Sequence, residues 1–257
     1  MKATIPPLQF LPIVTLALAV ALSAGNVQSQ NLAYVYTMTP KDGQGAGFVA
    51  ALGQHMEWRA ANGDPWAWQI YEEVTGPNLG TFLARSPGHT FADIDAYEAS
   101  DFAPDALAQY NSVVGPLTAS VSSAISATDA TVVRPLGNNS TLNLFSLTTY
   151  HLKPGQEAAF VAAVNRFHEL IVENDYPAYY SLILPVFGIT GPQAIISGFA
   201  ENWASFDTGG PALQAFVADQ LGQDGALELF QELAETYTSS ENVVLRLHRN
   251  LSIAAAN

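Results

Sequence analysis

The chain contains itself twice. The run Phe48-Val49-Ala50-Ala51 recurs as Phe160-Val161-Ala162-Ala163, an offset of 112 positions. The same offset pairs Lys41, Gly43 and Gln44 with Lys153, Gly155 and Gln156. It also pairs Glu57 with Glu169, Asn62 with Asn174, Pro65 with Pro177, Asp95 with Asp207, Arg134 with Arg246 and Asn138 with Asn250. A single offset over so much of the chain marks a duplication. The architecture must therefore accommodate two copies of one unit, and each copy serves as a control for the other.

Both halves read in the same order. In the first, an alternating run from Leu32 to Thr39 predicts a strand, and a Gly-rich turn leads into a helix over 44–61. Strands are expected at 65–74 and 81–86, separated by the turn residues Thr75-Gly76-Pro77-Asn78-Leu79-Gly80. The segment 93–127 reads as helix broken near Pro104 and at Gly115-Pro116, and 131–136 as a final short strand. The second half repeats this with strands near 142–151, 178–187, 194–199 and 242–248, and helices near 156–173, 209–221 and 225–238. The order is β-α-β-β-α-β with a split second helix, the ferredoxin-like motif. The fold class is α+β, with repeat one over 30–137 and repeat two over 138–257. Gly137-Asn138-Asn139-Ser140 forms the linker. Each antiparallel sheet has helices on one face and would bury its bare face against the other sheet.

With that element order, the duplication, and Lys-x-Gly-Gln ahead of Phe-Val-Ala-Ala, the chain resembles the dimeric α/β-barrel superfamily. This group includes antibiotic-biosynthesis monooxygenase-like (ABM-like) and NIPSNAP-like proteins, and tandem-repeat relatives of chlorite dismutases and dye-decolourising peroxidases. The resemblance implies an intramolecular dimeric α/β barrel. It spans cofactor-free oxygenases, isomerases, haem enzymes and members with no known reaction, so the fold does not select an activity.

Residues 1–29 are expected to be an export signal. Lys2 is the only charge before Lys41, residues 10–24 are nearly all apolar, and Val27-Gln28-Ser29 offers small residues at a cleavage site. The apolar stretch is short against the ~20 residues of a membrane span. The expectation is an exported protein, periplasmic or extracellular, with no membrane attachment after cleavage. Loss of Lys2 leaves 8 basic side chains against 23 acidic ones. Such a surface repels nucleic acid and anionic lipid. There is no cysteine, which excludes disulfides, thiolate metal sites and a Cys nucleophile.

Alternation of side chains suggests where a ligand would lie. In the first strand of each repeat, Ala33, Val35 and Thr37 match Phe145, Leu147 and Thr149, an apolar set expected to face the helices. Tyr34, Tyr36 and Met38 match Ser146, Thr148 and Tyr150, a mixed set expected to face the barrel interior. There Tyr36 and Tyr150 would line a ligand cavity or simply fill the barrel. Arg134 and Arg246 match across the repeats at parity opposite to Val133 and Leu245, so both are expected inside. They would hold a carboxylate or phenolate or pair with acids.

The first helix distinguishes the two halves. Phe48, Leu52, His55 and Arg59 share one face, and their counterparts are Phe160, Val164, Phe167 and Ile171. A buried charge must be paired or open to a cleft. His55 and Arg59 therefore suggest a cavity in the N-terminal half, walled by Trp66 and Trp68. The alternative is a structural histidine and an arginine snorkelling off the helix terminus. His151 and His168 are the positions from which a non-covalent haem could be ligated. No Cys-x-x-Cys-His is present, no metal site is indicated, and no cofactor is expected.

The sequence thus supports a protein that binds a small, largely apolar or weakly acidic organic molecule. One class is a cofactor-free oxygenase or isomerase with His55 as base and Arg59 or Arg134 holding the anion. The other is a non-catalytic binding or assembly protein with a filled barrel. Homo-oligomerisation is left open.

Overall fold

Eight antiparallel strands form one closed barrel in the order β1-β3-β2-β8-β5-β7-β6-β4 in the computed structural model, which describes residues 32–135, 141–207 and 212–254. Repeat one contributes β1 (Leu32–Pro40), α1 (Gly45–Ala61), β2 (Gln69–Glu73), β3 (Phe82–His89), α2 (Phe91–Glu98), α3 (Phe102–Val113) and β4 (Thr118–Arg134). Repeat two contributes β5 (Leu144–Leu152), α4 (Glu157–Glu173), β6 (Tyr180–Phe187), β7 (Gln193–Ala200), α5 (Leu213–Glu235) and β8 (Tyr237–Leu247). The export segment, the linker at 137–140 and the boundary between the repeats lie outside the described residues. No helix among the described residues is long and apolar enough to cross a membrane.

The two sheets join edge to edge at two equivalent seams. β2 pairs with β8 through Tyr71↔Leu247 and Glu73↔Leu245, and β4 pairs with β6 from Ile125↔Phe187 to Arg134↔Tyr180. Each seam joins the second strand of one repeat to the last strand of the other, as an intramolecular pseudo-twofold requires. Closure leaves neither sheet with a free outer strand, which disposes of the edge problem of an open sheet.

The matched residues of the sequence hold matched structure. Gly43 and Gly155 adopt φ of 70° and 78°, a region costly for a side chain. Each closes the turn in which Gln44 or Gln156 donates back to Lys41 or Lys153. Lys41 Nζ then donates to Pro116 O at 2.7 Å, and Lys153 Nζ to Glu235 O at 2.6 Å. Both lysines tie this turn to the approach of the last strand of their repeat, a structural role. Phe48 and Phe160 are fully buried where α1 and α4 dock on the sheet. Truncating either to Ala removes contacts worth about 3–5 kcal/mol.

Two expectations are corrected. β4 begins at Thr118, so the stretch to Ala127 read as helix is strand, paired along β1 from Pro40↔Thr118 to Leu32↔Ala127. Ala and Ser carry little strand preference of their own, and cross-strand pairing decides the matter. The break between α2 and α3 falls at Ala99–Asp101, ahead of Pro104, which occupies the first turn of α3.

The second correction concerns parity. Tyr34, Tyr36 and Met38 pack against Phe48, Leu52 and Met56 of α1, so this set faces the helices. Tyr150 likewise packs on Phe160 of α4, with ring centroids 5.1 Å apart. Alternation assigns Val35 and Thr37, with Phe145, Leu147 and Thr149, to the barrel lumen. Both faces of a barrel wall are covered, so apolar bias fixes the alternation without fixing its direction.

Candidate functional site

Between α1, α3 and the outer face of the sheet in repeat one lies a cavity of about 300 Å³. Tyr36, Leu52, His55, Arg59, Trp68 and Tyr97 line its inner part, and the exposed Leu107 and Val121 lie toward its mouth. The wall is mainly apolar, with a few polar groups, as ligand sites generally are.

His55 and Arg59 stand one turn apart on α1 and are 3% and 8% exposed. The Arg59 guanidinium donates from Nε to Asp64 Oδ2 at 2.5 Å and from Nη2 to the Tyr97 hydroxyl at 2.6 Å. It also stacks 4.6 Å above the Trp68 ring. Asp64 is tied in turn by the Trp68 Nε1–H at 3.0 Å and the Trp66 N–H at 2.9 Å. The buried charge is therefore paired and hydrogen-bonded, the condition under which an interior ion pair persists.

The His55 ring is oriented from both sides. Nδ1 is hydrogen-bonded to Gln109 Oε1, which can only accept, so Nδ1 carries the hydrogen. Nε2 is then the acceptor, and it takes a long hydrogen bond from Arg59 Nη1 at 3.5 Å. Burial lowers the His55 pKa to about 4, Gln109 opposes the shift and Arg59 reinforces it. The ring is a neutral imidazole at pH 7. Burial also raises the hydroxyl pKa values of Tyr36, Tyr97 and Tyr110, which keeps these groups protonated as donors.

Repeat two lacks this arrangement. Phe167 and Ile171, at the positions of His55 and Arg59, pack into Phe216, Val217 and Leu229 of α5. The duplicated helix thus carries a polar pair beside a cavity in one copy and packed side chains in the other.

Four of the sequence-derived candidates, Tyr36, His55, Arg59 and Trp68, come together at the cavity. Trp66 lies behind it, stacked between His89 at 3.9 Å and Tyr97 at 4.2 Å, and holds Tyr97 in place. The other three are elsewhere, and their assignment is corrected. Arg134 faces the helix layer and caps the C-terminus of α4, bonding the carbonyls of Ile171 and Tyr176 and the Asp175 carboxylate. Arg246 is exposed, opposite Glu72 in register. Tyr150 is packed between Phe160 and Tyr237. Tyr97 lines the cavity, while Asp64 and Gln109 hold Arg59 and His55 from behind, and these three were not anticipated. The signal for Asp64 was its position five residues beyond a buried arginine that required a counter-ion.

Every histidine has a polar partner on at least one ring nitrogen, and the bond at His168 is on Nδ1, which is also how a ligating histidine is held. His55 has Nδ1 on Gln109 and Nε2 facing a guanidinium, and His168 Nδ1 is hydrogen-bonded to the Tyr180 hydroxyl at 2.9 Å. His151 Nε2 faces Glu241 at 3.5 Å, His89 bonds Ser86 and His248 bonds Glu72. No group of His, Asp and Glu among the described residues could hold a metal ion.

The whole barrel has counterparts among solved structures. An anthrone oxidase-like protein superposes with a TM-score of 0.55 at 9% identity, over 90% of this chain and 98% of that one. A candidate monooxygenase from Lactobacillus acidophilus gives 0.53 at 9% identity, over 88% and 96%. A chlorite dismutase variant from Candidatus Nitrospira defluvii gives 0.50 at 9%, over 85% and 92%. At such identities the likeness is one of fold. No protein-family model matches the chain, and no curated protein matches it.

Proposed function

Because the chain is a dimeric α/β barrel in tandem-repeat form, we propose that it binds a small, largely apolar organic molecule in the cavity of repeat one and removes a proton from it with His55. The observation that carries this reading is the asymmetry of the duplicated helix. His55 and Arg59 border an open cavity at the positions where Phe167 and Ile171 are packed into the core in the sister repeat.

The neutral imidazole accepts the proton at Nε2 once the substrate displaces the long contact from Arg59 Nη1, and the Arg59 guanidinium stabilises the negative charge left on the substrate. With dioxygen as co-substrate, the deprotonated carbon forms a C–O bond. Loss of water then leaves a carbonyl in place of a methylene. One oxygen atom enters the product, the other leaves as water, and the carbon is oxidised as dioxygen is reduced. Return of the proton to a different carbon would instead be isomerisation. The names of the anthrone oxidase-like and monooxygenase neighbours support the oxygenase form.

A non-catalytic binding role has one observation in its favour. Arg59 already spends N–H groups on Asp64 and Tyr97, which reduces what it can offer a substrate anion. The reading also includes export to the periplasm or the extracellular space, on the strength of residues 1–29 alone.

The test uses anthrone as probe in air-saturated buffer, with oxygen uptake and anthraquinone formation followed together. The wild type is expected to consume oxygen and form quinone faster than the uncatalysed background, and His55→Phe to fall to background. Quinone formation at equal rates in both proteins would remove His55 as the base.

A further inference from the structure

The lumen of the barrel holds a second polar group that the cavity of repeat one does not use. Phe82, Ala84 and Ser86 of β3 face the helix layer, where Phe82 stacks on Phe48 and Ala84 borders the cavity. Arg85 therefore points into the lumen, across from Val35 on β1 and Gln69 on β2. Its Nη1 donates to Gln69 Oε1 at 3.1 Å, and the Tyr71 hydroxyl donates to the same oxygen at 3.1 Å. Among the described residues Arg85 makes no ion pair and no other hydrogen bond.

An arginine in a barrel wall without a carboxylate is costly, because its charge is desolvated and uncompensated. Burial accordingly lowers its pKa, and only the Tyr71 hydroxyl opposes that shift. Yet no fully occluded side-chain nitrogen or oxygen among the described residues lacks a partner. The unused N–H groups of Arg85 must then border open space. The surrounding side chains agree. Val35, Leu83, Phe145 and Phe199 turn into the lumen but are only half-buried, whereas a packed barrel would bury them. The Tyr71–Phe145 and Phe145–Phe199 rings, at 4.9 Å and 5.5 Å, form an aromatic wall on the side of β2, β5 and β7.

We propose that the barrel lumen is a binding site for a small apolar monocarboxylate, its carboxylate held by the free N–H groups of Arg85 and its hydrocarbon part by the Phe145–Phe199 wall. The planar guanidinium offers a two-pronged match to a carboxylate. The Arg85 guanidinium calls for a carboxylate, and the aromatic wall calls for an organic anion over an inorganic one. The site lies on the opposite face of the sheet from His55 and stands independently of the function proposed for that cavity.

The test is calorimetric titration of the full chain with sodium benzoate, benzyl alcohol and inorganic phosphate. Benzoate is expected to bind saturably, and both other probes at least about tenfold more weakly, the loss expected for a missing charge-assisted pair. Arg85→Met is expected to weaken benzoate by a similar factor, while His55→Phe leaves it unchanged. Phosphate or benzyl alcohol binding as tightly as benzoate would overturn the proposal, as would unchanged benzoate affinity in Arg85→Met or no saturable binding in the wild type. A wild-type crystal soaked in 4-bromobenzoate settles the matter even if Arg85→Met does not fold. Anomalous bromine density in the lumen beside Phe145 supports the site, and its absence there, or density only at the His55 cavity, overturns it.

Discussion

Arg59 donates to Asp64 across 2.5 Å, with side chains only 10% and 1% exposed. This pair decides what the neighbouring helix face can tolerate. Asp64 also receives the N–H groups of Trp66 and Trp68, so it organises the turn from α1 into β2 as well as the charge. Asp64→Ala strands the guanidinium and both tryptophan donors, and should cost about 3–5 kcal/mol, the usual loss on breaking a buried pair. Urea denaturation of the variant beside the wild type measures it.

The same pair separates two substitutions that the sister repeat would seem to license equally. His55→Phe should fold and melt near the wild-type temperature, because the ring enters an apolar wall and removes only the bond to Gln109, on α3, and the long one from Arg59 Nη1, while Arg59 keeps Asp64 and Tyr97. Arg59→Ile should lose several kcal/mol, because it leaves the Asp64 carboxylate buried and unpaired. Adding Asp64→Leu to Arg59→Ile should restore much of that stability. Thermal melts of the three variants check the order, and a tolerant Arg59→Ile would contradict it.

The acid response of His55 has a definite sign. Its folded-state pKa of about 4 lies below the ordinary histidine value of 6.5. Above pH 6.5 the ring is neutral in both states and contributes nothing. Between pH 6.5 and about 4 the unfolded chain takes up a proton that the folded chain refuses, so stability falls across that window and levels off below it. Burial likewise lowers the pKa of His89, so His55→Phe removes part of the loss. Melting temperatures from pH 4 to 8 should therefore converge between His55→Phe and wild type at pH 8 and favour the variant at pH 4.

The β4–β6 seam makes its own prediction. Gly188 follows β6 with φ of 81°, and a Cβ there would come 2.2 Å from the Ser123 carbonyl oxygen of β4. Gly188→Ala combines backbone strain of about 1–3 kcal/mol with a clash that only a shift of β4 can relieve. A loss of at least that size in denaturant titration is expected, with faster amide exchange along residues 123–128 if the seam opens.

How much of this was legible follows from where the physics is local. The βαββαβ order, the bounds of α1 and α4 and the polar intrusion at His55 and Arg59 all follow from spacing within one segment. The direction of Tyr36 and Tyr150 did not, because helices cover one face of the barrel wall and the lumen lies on the other, so both sets of alternating residues are mostly half-buried and neither stands out. The strand at Thr118 is hidden for a related reason, since its small residues gain their conformation from pairing with β1. Asp64, Tyr97 and Gln109 reach His55 and Arg59 from three different segments, and no single periodicity brings them together. The inward reading of Arg134 failed because a helix C-terminus, supplied by α4, was the stronger attractor.

The central claim is that the cavity beside His55 is the ligand site, and equilibrium dialysis of anthrone against three proteins tests it most directly. These are the wild type, His55→Phe, and Val121→Trp, which narrows the mouth at an exposed position. The account predicts saturable binding by the wild type at one molecule per chain, and affinity about tenfold or more weaker in both variants, the scale of one lost hydrogen bond or a blocked entry. Equal affinity in all three proteins would contradict it.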